Sequence, residues 1–234
     1  MNDLNQKMET ELLRFGADIV GFADLRELPD DVREGLPFGI SIAVVYPKEV
    51  IRGIKELPTL EYREWYDKLN EKLDATVTHG AEMLGEMGYK AIAKTRKYIG
   101  GWDDEIRTLL PHKTVATRAG IGWIGKSALL VTGKYGSAIR VSTILTDAPF
   151  VTATPVNESR CGAGCMICAN ACPTGVISGK LWEAGMERHE LFDAEKCLKT
   201  VKERSRLGFN EDATICGKCI EICPHTQRYI YETR

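Results

Sequence analysis

The chain reads as an α/β fold followed by a cysteine-rich module, with the boundary near residue 155. Three observations carry that reading. Short apolar runs rich in β-branched residues recur before residue 150, one long helical pattern lies among them, and all eight cysteines fall after residue 160. At 234 residues, 44% hydrophobic and 27% charged, the chain has apolar material for one sizeable core or two closely packed units.

Residues 4–17 carry Leu4, Met8, Leu12 and Phe15 at helical spacing and end at Gly16, which predicts an amphipathic helix. Ile19–Phe22 and Ile40–Tyr46 are short β-rich runs and read as strands. From Leu60 to Met87 the positions Tyr62, Trp65, Tyr66, Leu69, Leu73, Val77, Ala81 and Leu84 form a long apolar stripe. That stripe predicts a core helix packed on the sheet, with Gly80 inside it and Gly88 closing it. Ala91–Ala93 suggests another strand. Ala128–Thr132 and Ala138–Leu145, joined across Gly133, Lys134, Tyr135 and Gly136, read as a β-hairpin. Pro149 and the stretch TATPVNES mark the junction, giving a first domain over 1–155 and a second over 156–234.

The charge balance is even, with 31 basic and 33 acidic side chains and a formal charge of −2, so no global field draws the chain onto nucleic acid. Lys196, Lys199, Lys202, Arg204 and Arg206 crowd one short segment and read as a solvated helix face beside an anionic group; a local basic patch is the alternative. No stretch has the uninterrupted apolar length of a membrane span. The N-terminal MNDLNQKMETELLRF has no apolar signal core, so the expected compartment is the reducing cytoplasm.

The cysteines form two groups: Cys161, Cys165, Cys168 and Cys172 before Pro173, then Cys197, Cys216, Cys219 and Cys223 before Pro224. Each group ends in C-x-x-C-x-x-x-C-P, the phrase with which bacterial ferredoxin-type modules hold cubane iron–sulfur clusters. A cubane takes four thiolates, so eight cysteines predict two [4Fe-4S] clusters with none left over. The last cysteine of such a phrase points away from its own loop and serves the other cluster. By that rule Cys161, Cys165, Cys168 and Cys223 hold one cluster, and Cys172, Cys197, Cys216 and Cys219 the second. Structural zinc also uses C-x-x-C pairs, but it favours closed four-ligand sets and has no use for the C-P tail. Disulfides fit the even count but not the expected compartment.

A second informative stretch is HKTVATRAGIGWIGKSALLV, residues 112–131. Gly120, Gly122 and Gly125 satisfy G-x-G-x-x-G, yet a dinucleotide site needs that phrase between a strand and a helix, and here it precedes the expected hairpin. The glycines offer backbone able to approach a flat ligand closely beside Trp123, with a tight packed turn as the bland alternative. Lys126 reads either as an anion contact or as a solvent-facing lysine. His225, directly after the second C-P, is placed to donate toward a cluster sulfur, whereas Met166 and Ile167 would give a cluster apolar cover.

With AGIGWIGKSALLV, ILTDAPF, RCGAGCMICANACPTGVI and CGKCIEICPH in this order, preceded by DIVGFADL and FGISIAVVYP, the chain resembles the epoxyqueuosine reductase family nearly throughout. Those enzymes depend on cobalamin and iron–sulfur clusters and are related in architecture to reductive dehalogenases. The resemblance implies a nitroreductase-like, cobalamin-binding sheet domain joined to a ferredoxin-like module with two [4Fe-4S] clusters. It further implies that Gly120, Gly122, Trp123, Gly125 and Lys126 contact the cofactor. Single electrons would pass from a low-potential donor, a ferredoxin or flavodoxin, through the clusters to cobalamin, which acts on the epoxide of a tRNA nucleoside.

The match departs from the family at three places. An ungapped alignment sets Ile106 where the family has its acidic residue, which leaves Asp103 and Asp104, with Glu105 beside them, as the nearest acids for catalysis. Family members continue into a helical-repeat region that helps hold tRNA, whereas this sequence stops at Arg234. CGAGC carries one residue more than the usual C-G-x-C. The alternative function is an electron-transfer protein, or a reductive activator of a corrinoid partner, with no cobalamin of its own.

Overall fold

The computed structural model describes residues 3–99 and 108–232. In chain order it begins with α1 (Asp3–Phe15), β1 (Ile19–Asp24), β2 (Phe38–Val45), α2 (Lys48–Gly53), α3 (Leu60–Glu86), β3 (Ala91–Ala93) and α4 (Arg96–Ile99). Then come α5 (His112–Arg118), β4 (Trp123–Ile124), β5 (Leu130–Val131) and β6 (Ile139–Thr146). The remainder is helical: α6 (Ile167–Ala171), α7 (Arg188–Leu191), α8 (Ala194–Phe209), α9 (Lys218–Glu221) and α10 (Pro224–Tyr231). The architecture is mixed α/β, divided into two compact units.

The first unit takes residues 1–44, 69–121 and 140–156. Its four-stranded sheet has the order β1-β2-β6-β3. β1 runs antiparallel to β2 with Phe22 opposite Ile40, and β3 runs antiparallel to β6 with Ile92 opposite Leu145. The two inner strands are the eight-residue ones, and β2 is buried along nearly its whole length, so it reads as a continuous apolar run rather than an alternating one. Ala23, Leu25, Leu36, Leu110, Val115, Ala119 and Leu145 form one buried cluster. Elsewhere Met8 and Leu12 of α1 are wholly buried, as are Val77 and Leu84 of α3. Asn5 ties α1 to the end of this unit, its Nδ2 donating to the Val151 carbonyl at 2.9 Å while its Oδ1 accepts from the Val151 N–H at 3.0 Å.

At the start of α5, His112 places Nδ1 2.9 Å from Thr143 Oγ1 on β6. Burial lowers its pKa to about 4, and the Arg140 and Lys94 cations push the same way against Asp74, so the ring is neutral at neutral pH.

The second unit takes residues 45–68, 122–139 and 157–234. Helices α6 to α10 supply most of its regular structure, and β4 pairs with β5 through Trp123 opposite Val131 and Ile124 opposite Leu130. Here the structure departs from the expected hairpin. Thr132 and Gly136 do exchange backbone hydrogen bonds at 2.9 and 3.1 Å, so the chain reverses where the glycines said it would. The strand before the turn pairs with β4, however, and the one after it runs between β2 and β3. A long apolar strand gains more by pairing on both edges than from a short local partner. Among the described residues no helix is long and apolar enough to cross a membrane.

Candidate metal centre

All eight cysteines lie in the second unit as free, partly buried thiols. Cys161, Cys165, Cys168 and Cys223 line one cavity of about 180 Å³, with Cys219 also at its wall. Burial pushes the Cys168 thiol up to about 11, and the charges of Cys223, Cys161 and Cys165 act the same way. For Cys197 burial again comes first, and its cysteine neighbours are Cys172 and Cys216. Cys219 is raised strongly by burial and then by Cys216 and Cys197, with Cys168 and Cys172 also contributing. Cys219 thus adjoins thiols of both cysteine phrases.

The C-P phrases have a local physical meaning. Cys223 is the N-cap of α10 and Pro224 its first residue, so the missing proline N–H falls where a helix has no use for one. The next two amides, of His225 and Thr226, with the Thr226 hydroxyl, hydrogen-bond the Cys223 sulfur; burial still dominates and holds its pKa high. At Cys172 the balance reverses. Burial opposes ionisation, yet the amides of Thr174, Val176 and Gly175 and the Thr174 hydroxyl bring the thiol below its ordinary value. Cys216 and Cys219 bracket Gly217, whose φ of +75° caps α9 in a left-handed conformation that a side chain would strain.

One wall of the cavity comes from the glycine phrase: Gly125, Lys126 and Ser127 line it. Lys126 is only 3% exposed, and its Nζ donates to the Ala163 carbonyl at 2.8 Å, inside the loop between Cys161 and Cys165. The solvent-facing alternative for this lysine is thus excluded, and an ammonium stands beside the thiols. Gly122 provides close approach, but to protein: a Cβ there would sit 2.2 Å from the Val131 carbonyl oxygen. A Cβ on Gly125 would meet Val131 Cγ2 at 2.8 Å and the Cys161 sulfur at 3.5 Å. Gly120 lies in the first unit, with φ +68° and Ala153 and Thr154 as neighbours. Trp123 is 4% exposed, meets the His225 ring edge-on at 4.9 Å and carries a buried indole N–H with no hydrogen-bond partner among the described residues. Asp103 and Asp104 lie outside the described residues.

This donor set suits a cluster. Buried thiols that repel one another's ionisation need cationic charge among them, and thiolate is the form that iron takes. Among the described residues no three His, Cys, Asp or Glu side chains converge closely enough for a single ion. A cubane spreads its four thiolates around a core, whereas tetrahedral zinc gathers them at one point.

A family model described as a 4Fe-4S double cluster binding domain matches residues 160–226. The epoxyqueuosine reductase of Listeria monocytogenes is 32% identical over 207 residues, which are 80% of this chain. Over most of its length the chain is thus similar to an epoxyqueuosine reductase.

The chain spans 48% of that relative and smaller shares of several others. Among solved structures, an epoxyqueuosine reductase described with an epoxyqueuosine-modified tRNA-Tyr stem loop superposes with a TM-score of 0.62 at 21% identity. That match covers 96% of this chain and 65% of the other. A reductive dehalogenase, whose structure is described as suggesting a mechanism for B12-dependent dehalogenation, gives 0.63 at 17% identity over 94% of this chain and 31% of its own. These two likenesses show the shared fold.

One contact escaped the sequence reading. Arg204, grouped there with a solvated basic face, donates its Nε to the Cys216 sulfur at 3.1 Å. Its position two helical turns after Cys197 puts both on one face of α8, which is the signal that could have found it. His225 reaches the Cys223 sulfur through its backbone amide, while its Nδ1 accepts from the Arg228 guanidinium at 2.6 Å.

Proposed function

We propose that this chain is an iron–sulfur reductase of the epoxyqueuosine type, acting in the reducing cytoplasm on an epoxide carried by tRNA. One cluster is assigned to Cys161, Cys165, Cys168 and Cys223, and the other to Cys172, Cys197, Cys216 and Cys219. The observation that carries the reading is the convergence of Cys161, Cys165, Cys168, Cys219 and Cys223 on one cavity, within a chain similar to an epoxyqueuosine reductase along 80% of its length. When loaded, the clusters supply one-electron steps at potentials that protein surroundings can set anywhere from about −700 to +450 mV. Cobalamin is proposed as the second cofactor from the B12-dependence described for a dehalogenase of the same fold, and when bound it supplies a low-valent cobalt suited to opening an epoxide.

The protein's part is binding, orientation and water exclusion. Lys126 holds the loop of Cys161 and Cys165 in place and offsets negative charge there. Removing an epoxide oxygen as water takes two electrons and two protons; Asp103 or Asp104 is proposed to deliver one proton to that oxygen. Residues 1–155 would form a nitroreductase-like cofactor and substrate domain and 156–234 the ferredoxin-like one, with a ferredoxin or flavodoxin as electron donor. Because Gly125 and Lys126 line the thiol cavity, no step is assigned to those two residues on cobalamin.

The place of Ile106 where the family has its acidic residue favours a second reading, an electron-transfer protein or corrinoid-enzyme activator without cobalamin. Anaerobic reconstitution separates the two. Cobalt-centred spectral changes on adding cobalamin, with turnover of epoxyqueuosine in a tRNA stem loop, support the reductase; iron-replete protein that gives neither supports the electron carrier.

A further inference from the structure

Arg204 sits on α8 with its two ends committed. Nε donates to the Cys216 sulfur at 3.1 Å, and the other end of the guanidinium donates to the Glu56 carbonyl. The helix that carries it is fixed on both flanks. Ser205, fully buried, donates to the Ile215 carbonyl at 2.7 Å, which pins α8 to the backbone immediately before Cys216. Gly208 lies so close to the segment before α3 that a Cβ there would stand 2.0 Å from the Pro58 carbonyl oxygen. Arginine is a permanent cation with a rigid planar fork, so a donor held this way keeps its aim.

We infer that Arg204 is a positioning residue that sets the reduction potential of the cluster ligated by Cys216 and leaves that of the other cluster unchanged. The inference rests on the assignment of the cysteines to two clusters. A hydrogen bond from a cation to a ligand sulfur draws electron density from the thiolate and favours the reduced, more negative cluster, so its potential rises. The effect is local because the donor is shared with no other sulfur among the described contacts: the groups on Cys223 are the amides of His225 and Thr226 and the Thr226 hydroxyl. Two clusters with the same ligand chemistry would thereby be held at different potentials, which separates the site that accepts an electron readily from the one that hands it on.

The test is an anaerobic redox titration of the full chain, followed by electron paramagnetic resonance, in the unaltered protein and in Arg204→Gln and Arg204→Lys, with iron counted in each. The expected result is a fall in one midpoint potential, larger for Arg204→Gln than for Arg204→Lys, with the other midpoint unmoved and iron retained. The shift persists when Cys161→Ala removes the first cluster and is absent when Cys172→Ala removes the second. Two unmoved midpoints in an iron-replete variant, or equal shifts in both clusters, overturn the inference. Should Arg204→Gln lose iron, an iron-replete Arg204→Lys with unaltered midpoints overturns it equally. Lack of iron in the unaltered chain instead overturns the cluster assignment itself.

Discussion

Replacing Gly122 by alanine probes whether the short β4–β5 pair holds the wall of the thiol-lined cavity. The new Cβ would stand 2.2 Å from the Val131 carbonyl oxygen and 3.0 Å from the Val131 carbonyl carbon. Both are backbone atoms of the strand that Trp123 pairs with, so no side-chain rotation relieves the contact. Overpacking typically costs about 1–3 kcal/mol, and a rigid backbone neighbour puts this case at the upper end, about 3 kcal/mol. For a chain of this size that corresponds to a fall of about 6–12 °C in Tm. Displacement of β4 also carries Gly125 and Lys126 away from the cavity, so iron retention should drop. Gly85 is the control: it lies within α3 with no atom within 4 Å of an added Cβ, and Gly85→Ala should stabilise by about 1 kcal/mol through helix propensity alone. Calorimetry on anaerobic protein, with iron analysis, measures both. A Gly122→Ala protein with unaltered Tm and full iron would refute the argument.

The cysteine assignment predicts which pairs of variants look alike: Cys161→Ala and Cys223→Ala should leave one residual cluster spectrum, and Cys172→Ala and Cys216→Ala the other, whereas grouping by adjacency in sequence would pair Cys172 with Cys161. Lys126→Met removes a buried ammonium and leaves the Ala163 carbonyl without its donor, so stability measured by denaturant should fall by about 1.5–3 kcal/mol. His112, held neutral with a pKa of about 4 against the ordinary 6.5, gives a stability contribution fully present above pH 6.5 and lost progressively as pH falls toward 4. The loss is at most about 3 kcal/mol and should vanish from the pH profile of His112→Asn.

The elements most legible in the sequence were those with a strong period or a strong spacing. The stripe from Tyr62 to Leu84 became α3, and Met8 and Leu12 became the buried face of α1, because burying one face fixes a helix whatever its neighbours. The C-P phrase was legible as a helix start, since Cys223 caps α10 and Pro224 is its first residue. What escaped was long-range. Nothing local says that Ile139–Thr146 would pair between β2 and β3 rather than with Leu130–Val131. Nothing local distinguishes a buried lysine from an exposed one, so Lys126 was readable only as a choice between two roles. Arg204 was concealed by its basic neighbours: Lys196, Lys199, Lys202 and Arg206 are exposed, and only the residue facing the Cys197 side of α8 meets a sulfur.

The central claim is that these side chains hold two cubanes, and metal analysis of anaerobically prepared full-length chain tests it most directly. The account predicts about eight irons with matching acid-labile sulfide per chain. Protein that binds zinc in their place, or that saturates at the iron of a single cluster, would contradict it.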